Sequence, residues 1–206
     1  APYFSQAKRV SWDYFKQYCH GIPNVKFNEA ELTVILPNGC TIRLCGADNA
    51  DNLRGIYLDG VVMDEMADMK PNVWGEVVRP TLTDRQGWAL FIGTPKGINL
   101  FYELYQKALI HPDWHVSLFR ASETGLLKKE ELDAARGDMT ENKYAQEFEC
   151  DFAASNDDIL IPVSMAVAAA QRNINKMEVK GNFRVMGVDV ARYGNDSSVI
   201  VMREGL

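Results

Sequence analysis

The chain has 206 residues, 47% hydrophobic and 24% charged. That is the balance of an ordinary globular protein, and it excludes a disordered tail, a collagen-like fibre and a low-complexity scaffold. Lys plus Arg number 22 against 28 Asp plus Glu, a net charge of −6, which argues against a protein that coats nucleic acid with its whole surface but leaves room for a local basic groove. No apolar run approaches the roughly 20 residues that cross a bilayer. No basic start followed by an apolar stretch marks a secretory signal. The chain begins at Ala1 without an initiator methionine and is expected to be a cut or processed piece.

Taken in chain order, Ser5 to Tyr18 reads as a helix, with Ala7, Val10, Tyr14, Phe15 and Tyr18 near a 3.6 period. His20-Gly21-Ile22-Pro23 stops it. Leu32 to Leu36 and Cys40 to Cys45 read as strands around Pro37-Asn38-Gly39, because Asn-Gly between β-type runs signals a hairpin. Gly46 to Asn52 reads as a polar loop. Val61-Val62-Met63 and Trp88 to Ile92 are short and apolar without alternation, the pattern of strands buried on both faces of a parallel sheet. Asn72 to Arg79 reads as a short helix stopped before Pro80, and Asn99 to Ile110 as an amphipathic helix.

Trp114 to Phe119 alternates like a strand, while Lys128 to Arg136 and Asn142 to Glu149 look helical. Asp151 to Asp158 has the composition of a linker, and Val163 to Gln171 that of a short helix. Phe183 to Val190 and Ser197 to Met202 read as paired strands around an Ala191 to Asp196 turn. A lone hairpin is marginal in water, so these last strands predict the opening of a second domain. The fold class expected is α/β: a mainly parallel sheet flanked by helices over 1–152, a linker over 153–180, and the start of another α/β domain over 181–206.

Four features carry candidate chemistry. Val61-Val62-Met63 ends in Asp64-Glu65. At a strand's carboxyl end the first acid can hold the water shell of Mg²⁺, and the second can polarise an attacking water. Taken alone, such a pair also fits solvated acids at a strand end. Trp88 to Ile92 ends in Gly93-Thr94-Pro95. If the two strands are parallel neighbours, Thr94 opens on the same sheet edge, where ligands bind in such folds. Arg54, in Leu53-Arg54-Gly55, can swing toward a phosphate. Asp189, on an apolar strand, fits the opening carboxylate of a two-metal nuclease, with Asp196 read as a turn residue.

Neither the 4 cysteines nor the 3 histidines have the spacing of a zinc site, and the cysteines are expected to be reduced thiols. No Gly-x-x-x-x-Gly-Lys-[Ser/Thr], Gly-x-Ser-x-Gly, His-Glu-x-x-His or Gly-x-Gly-x-x-Gly occurs.

Together these motifs resemble, in order, the large terminase subunit of tailed bacteriophages, a DNA-packaging ATPase and nuclease. Ala1 to Lys8 is similar to the segment after that family's phosphate loop. Leu53-Arg54-Gly55 through Asp64-Glu65 resembles its arginine loop and Walker B strand. Trp88 to Gly97, ending Gly-Thr-Pro-Lys-Gly, resembles its coupling motif, and Tyr144 to Phe152 the close of its ATPase domain. Gly187-Val188-Asp189 resembles the first strand of its ribonuclease-H-like nuclease.

The resemblance implies a truncated P-loop-NTPase-like fold. The phosphate loop would lie before Ala1, and most nuclease acids after Leu206. It implies ATP and Mg²⁺, with Asp64 as a metal ligand, Glu65 as the catalytic carboxylate, Thr94 as the coupling residue and Arg54 as an arginine finger. It also implies Asp189 as a ligand of Mg²⁺ or Mn²⁺ in the nuclease. Implied partners are double-stranded DNA, the small terminase subunit, the portal ring and further copies of the chain. The expected location is the bacterial host cytoplasm, with no membrane association and little activity for the piece alone. Two alternatives stand beside this: a metal-dependent nuclease with a scaffold domain, and a non-catalytic assembly remnant of a prophage.

Overall fold

The N-terminal helix forms at the expected place, over Phe4–Gln6, a π-helical turn Ala7–Ser11, and Trp12–Cys19, but of the apolar residues that predicted it Val10, Tyr14 and Tyr18 are exposed. Trp12 and Cys19 face inward against a three-stranded antiparallel sheet, β1 (Lys26–Asn28), β2 (Thr33–Ile35) and β3 (Thr41–Arg43). Leu32 and Val34 are the fully buried centre of this core, and the Trp12 and Phe27 rings meet edge-on at 6.3 Å. The Asn-Gly hairpin is present: Gly39 has φ 83°, the Cys40 N–H donates to Asn38 Oδ1 at 3.0 Å, and Leu36 N–H donates to Cys40 O at 2.8 Å. The computed structural model describes residues 1–154, 165, 168–169, 171–172, 183–191 and 197–204.

A second core gathers Met63, Met66, Met69, Val73, Val78 and Leu104 beneath β4 (Gly60–Met63) and β5 (Trp88–Phe91). These two strands pair in parallel, Gly60 opposite Trp88 through Met63 opposite Phe91. Methionine's unbranched thioether adapts to such irregular junctions. Phe91 is held between Trp74, edge-on at 4.6 Å, and Trp114, stacked at 5.8 Å. The helix Leu100–Ile110 lies over this core through Leu104, followed by Ala121–Thr124, Lys129–Gly137 and Glu141–Glu149.

Several expectations need correction. The parallel pair is real but small, and the remaining described strands pair antiparallel. Its strands are not buried on both faces: Val61, Met63 and Phe91 pack inward, whereas Val62, Trp88 and Leu90 are 49%, 59% and 48% exposed. Residues of opposite parity face opposite sides of a sheet, and nothing described covers the second side. Gly46 to Asn52 is no open loop, because 3-10 turns run over Ala47–Leu53 and bury Ala47. The helix expected to stop before Pro80 continues as a π-helical turn, Val73–Val78, and a last turn, Arg79–Thr81. Pro80 falls in that last turn, a short α-helical piece following the π-helical one, where its fixed φ still suits a helical backbone.

Trp114 to Phe119 forms no strand. Trp114, Val116 and Leu118 are half-buried while His115, Ser117 and Phe119 are exposed, so the alternation is genuine. A ladder needs a partner backbone as well, and none of the described residues supplies one. β1 has no counterpart among the predicted strands. The start of the Asp151 to Asp158 stretch is packed, because Phe152 sits against Phe101, Tyr102 and Tyr105 with centroids 5.0–5.8 Å away.

The chain divides into two units, Ala1–Leu160 and Ile161–Leu206. In the second, β6 (Arg184–Asp189) and β7 (Val199–Glu204) form the expected antiparallel hairpin, exposed along its whole length. Most of the expected 153–180 linker, most of the Val163 to Gln171 helix, and all of the 191–196 turn beyond Ala191 lie outside the described residues.

Candidate functional site

The site forms where β4 and β5 end side by side. Beyond Met63 the ladder runs one step further: Ile92 N–H donates to Met63 O at 3.0 Å, and Met66 N–H donates back to Ile92 O at 3.1 Å. To make that return, Glu65 adopts a left-handed backbone, φ 54° and ψ 48°, and leads into the 3-10 turn Met66–Asp68. Asp64 stabilises the bend, its Oδ1 accepting the Glu65 N–H at 3.1 Å. Both acids are half-buried.

Across the gap, Gly93 has φ 151°, and a Cβ there would lie 3.1 Å from Glu65 Cα and Met66 N. The glycine is thus required by both backbone angle and close approach. It brings the Gly93 backbone directly against Glu65. Thr94 is half-buried, and Pro95 after it is buried. The structure therefore brings Asp64, Glu65 and Thr94 to one sheet edge, as the parallel arrangement requires.

Two further contacts tie the loops together. Lys96 Nζ donates to both oxygens of Asp68, at 2.6 and 2.7 Å. The hydrogen bond to Asp68 holds the Lys96 ammonium above its ordinary range, with further support from the charges of Asp68, Glu65 and Glu147. Asn99 is the N-cap of Leu100–Ile110, its Oδ1 accepting from the N–H groups of Phe101 at 3.0 Å and Tyr102 at 3.2 Å. Its Nδ2 donates to Ala67 O and Lys96 O, each at 3.2 Å. Sequence reading places Asn99 at the helix start but assigns nothing to Asp68 or Lys96. Lys96 lies within Gly-Thr-Pro-Lys-Gly, yet its partner is 28 positions away.

The structure does not bring Arg54 to these residues. Its Nε donates to Asp51 Oδ1 at 2.8 Å, and its Nη1 to Glu76 O at 3.2 Å. It lines a separate cavity of about 250 Å³ with Tyr57, Glu76, Thr81 and Asp84. Asp189 belongs to the other unit, at the end of β6 opposite Val199, and Asp196 lies outside the described residues.

Among the described residues, no group of three or more His, Cys, Asp or Glu is arranged to hold a metal ion. Mg²⁺ commonly takes only one or two carboxylates, completing its shell with substrate phosphates and water, and half-buried Asp64 fits that role. All four cysteines are free. No helix among the described residues is long and apolar enough to cross a membrane.

Comparison with known proteins matches residues 1–166 to the family described as terminase large subunit, T4likevirus-type, N-terminal. The large terminase subunit of Escherichia phage T5 is 30% identical over 162 residues, covering 74% of this chain and 36% of that protein. That of Thermus phage G20c is 56% identical over 59 residues, 29% of this chain and 12% of that protein. The chain thus spans about a third or less of the length of these relatives.

Among solved structures, the large terminase ATPase domain of Thermus phage P74-26 superposes with a TM-score of 0.61 at 26% identity, covering 73% of this chain and 74% of that one. The large terminase of another thermophilic bacteriophage shares the fold, with a TM-score of 0.60 at 19% identity, covering 73% of this chain and 39% of that one. With its paired strand ends and a family match over most of its length, the chain belongs to the large terminase subunit family, in the T4likevirus-type N-terminal region.

Proposed function

We propose that the Ala1–Leu160 unit contributes the hydrolytic edge of a DNA-packaging ATPase. In the complete subunit, ATP hydrolysis would drive double-stranded DNA into a procapsid. The observation that carries this reading is the meeting of Asp64-Glu65 with Gly93-Thr94 at the ends of two parallel strands, where such folds bind ligands. Mg²⁺ bound with ATP would neutralise charge on the phosphate oxygens, and Asp64 is the residue that would hold it.

Glu65 is assigned to orient and polarise the attacking water. Its left-handed backbone turns it out of the strand toward that edge. Thr94, the residue after the Gly93 that meets Glu65, is assigned to couple the nucleotide state to movement. Arg54 is held by Asp51 and Glu76 away from this edge, which suits a residue offered to a neighbouring copy's nucleotide.

Asp189 is assigned to a ribonuclease-H-like nuclease that cuts the concatemer, completed by acids outside the described residues. Double-stranded DNA, the small terminase subunit, the portal ring and further copies of the subunit are the proposed partners, in the cytoplasm of the bacterial host. The chain contains no phosphate loop motif, so alone it is expected to turn over ATP slowly, and the complete subunit is the protein to assay. There, Glu65→Gln should lower ATPase kcat about 10²-fold or more, the scale of lost general-base catalysis, with KM for ATP little changed. Parental kcat in that variant would remove Glu65 from its role.

A further inference from the structure

We propose that Asn99 is a positioning residue for the hydrolytic edge, one that sets Glu65 and Thr94 at their working separation. The proposal rests on the reading of that edge given above. A side-chain amide has two acceptor positions and two donor hydrogens, and Asn99 uses all four on backbone groups. Its oxygen takes the Phe101 and Tyr102 N–H groups, and its nitrogen gives to Ala67 O and Lys96 O. Capping a helix needs only the oxygen. The two donor bonds go beyond capping, to carbonyls on two different loops.

Those loops are the ones that carry the candidate chemistry. Ala67 lies in the Met66–Asp68 turn that Glu65 opens, and Lys96 lies two residues past Thr94. Asn99 therefore fastens the turn behind Glu65, the loop behind Thr94 and the first turn of Leu100–Ile110 to one planar group. The Lys96–Asp68 pair joins the same two loops. It is a flexible, over one-third exposed ion pair, however, and such pairs hold geometry weakly. The amide's fixed plane defines distance and direction, and a displacement of about 1 Å in a catalytic group can cost about 10²-fold in rate.

The test uses Asn99→Ser in the complete large subunit. Serine still accepts the helix N–H groups as a cap, but it carries no amide to reach Ala67 O or Lys96 O. The expected result is an ATPase kcat lower by about ten-fold or more, with KM for ATP within about two-fold of the parent. Amide exchange over 65–68 and 93–97 should quicken, while exchange within Leu100–Ile110 stays as in the parent.

Unchanged exchange in both loops would overturn the proposal whatever the ATPase result. Quickened exchange with parental kcat would also overturn it, provided Glu65→Gln shows its expected loss of kcat in the same preparation. Parental turnover in Glu65→Gln would instead overturn the reading of the edge, and the positioning role with it. Asn99→Asp guards against a serine variant that fails to fold. It caps as well as asparagine and sets a carboxylate oxygen against the two carbonyls. The same loss of kcat is expected, and parental kcat in Asn99→Asp would likewise sink the proposal.

Discussion

Glu29 accepts two hydrogen bonds across the N-terminal core, from the Trp12 indole at 2.6 Å and from Lys16 Nζ at 3.2 Å. The indole bond, followed by that from Lys16, holds its carboxyl below the ordinary value. A carboxyl lowered by folding contributes stability that is fully present above its unfolded-state value and lost as pH falls through the native value. Acid titration of the folded chain should therefore release Trp12, read as a change in tryptophan fluorescence below the ordinary carboxylate range. Glu29→Gln should lose that transition while leaving the neutral-pH fold intact. A pH profile identical to the parent would show that the Trp12–Glu29 bond does not govern the response.

At the scale of elements, the junction of β5 with its following loop is the most constrained point. Gly93→Ala would force a side chain into φ 151° and bring a Cβ to 3.1 Å from the Glu65 and Met66 backbone. Backbone cannot yield as a flexible side chain does. We expect a loss of roughly 1–3 kcal/mol, the cost of a residue held in a sparsely populated region, measured as a lower urea midpoint at unchanged slope. A midpoint equal to the parent's would mean that the two strand ends are not held in contact.

The elements legible in the sequence are those specified by neighbouring residues. The β2–β3 hairpin follows from Asn38-Gly39, and Leu100–Ile110 from its apolar period and Asn99 cap. β1 leaves no such trace, because three residues, Lys26-Phe27-Asn28, are too few to show alternation. Trp114 to Phe119 misleads for the opposite reason. Its alternation reports which side faces the core, and that side packs Trp114 on Phe91 without any ladder.

Across the whole molecule, apolar surface is left open in both units. Val62, Trp88 and Leu90 form one exposed face of the β4–β5 pair, although parallel strands are normally covered on both faces. Both faces of the β6–β7 hairpin are open too, Val188, Ile200 and Met202 being exposed on one and Val185 and Val201 on the other. Such surfaces drive association. The 206-residue chain should sediment as species whose size grows with concentration, and Trp88→Lys combined with Leu90→Lys should shift it toward monomer. A sharp, reversible melt of a monomeric chain would count against this.

The α/β class, the two strand ends and the candidacy of Asp64, Glu65 and Thr94 could be read from residue order alone. Each rests on apolar runs and turn residues contiguous in the chain, and local sterics and hydration act on contiguous residues. The left-handed turn at Glu65, the amide bridge from Asn99 and the confinement of Arg54 could not be read that way. The last two join groups 32 and 22 positions apart, and the turn answers a hydrogen bond from Met66 to Ile92. Pairings at that range leave no period in a sequence, because they come into being only when packing brings separate segments within bonding distance.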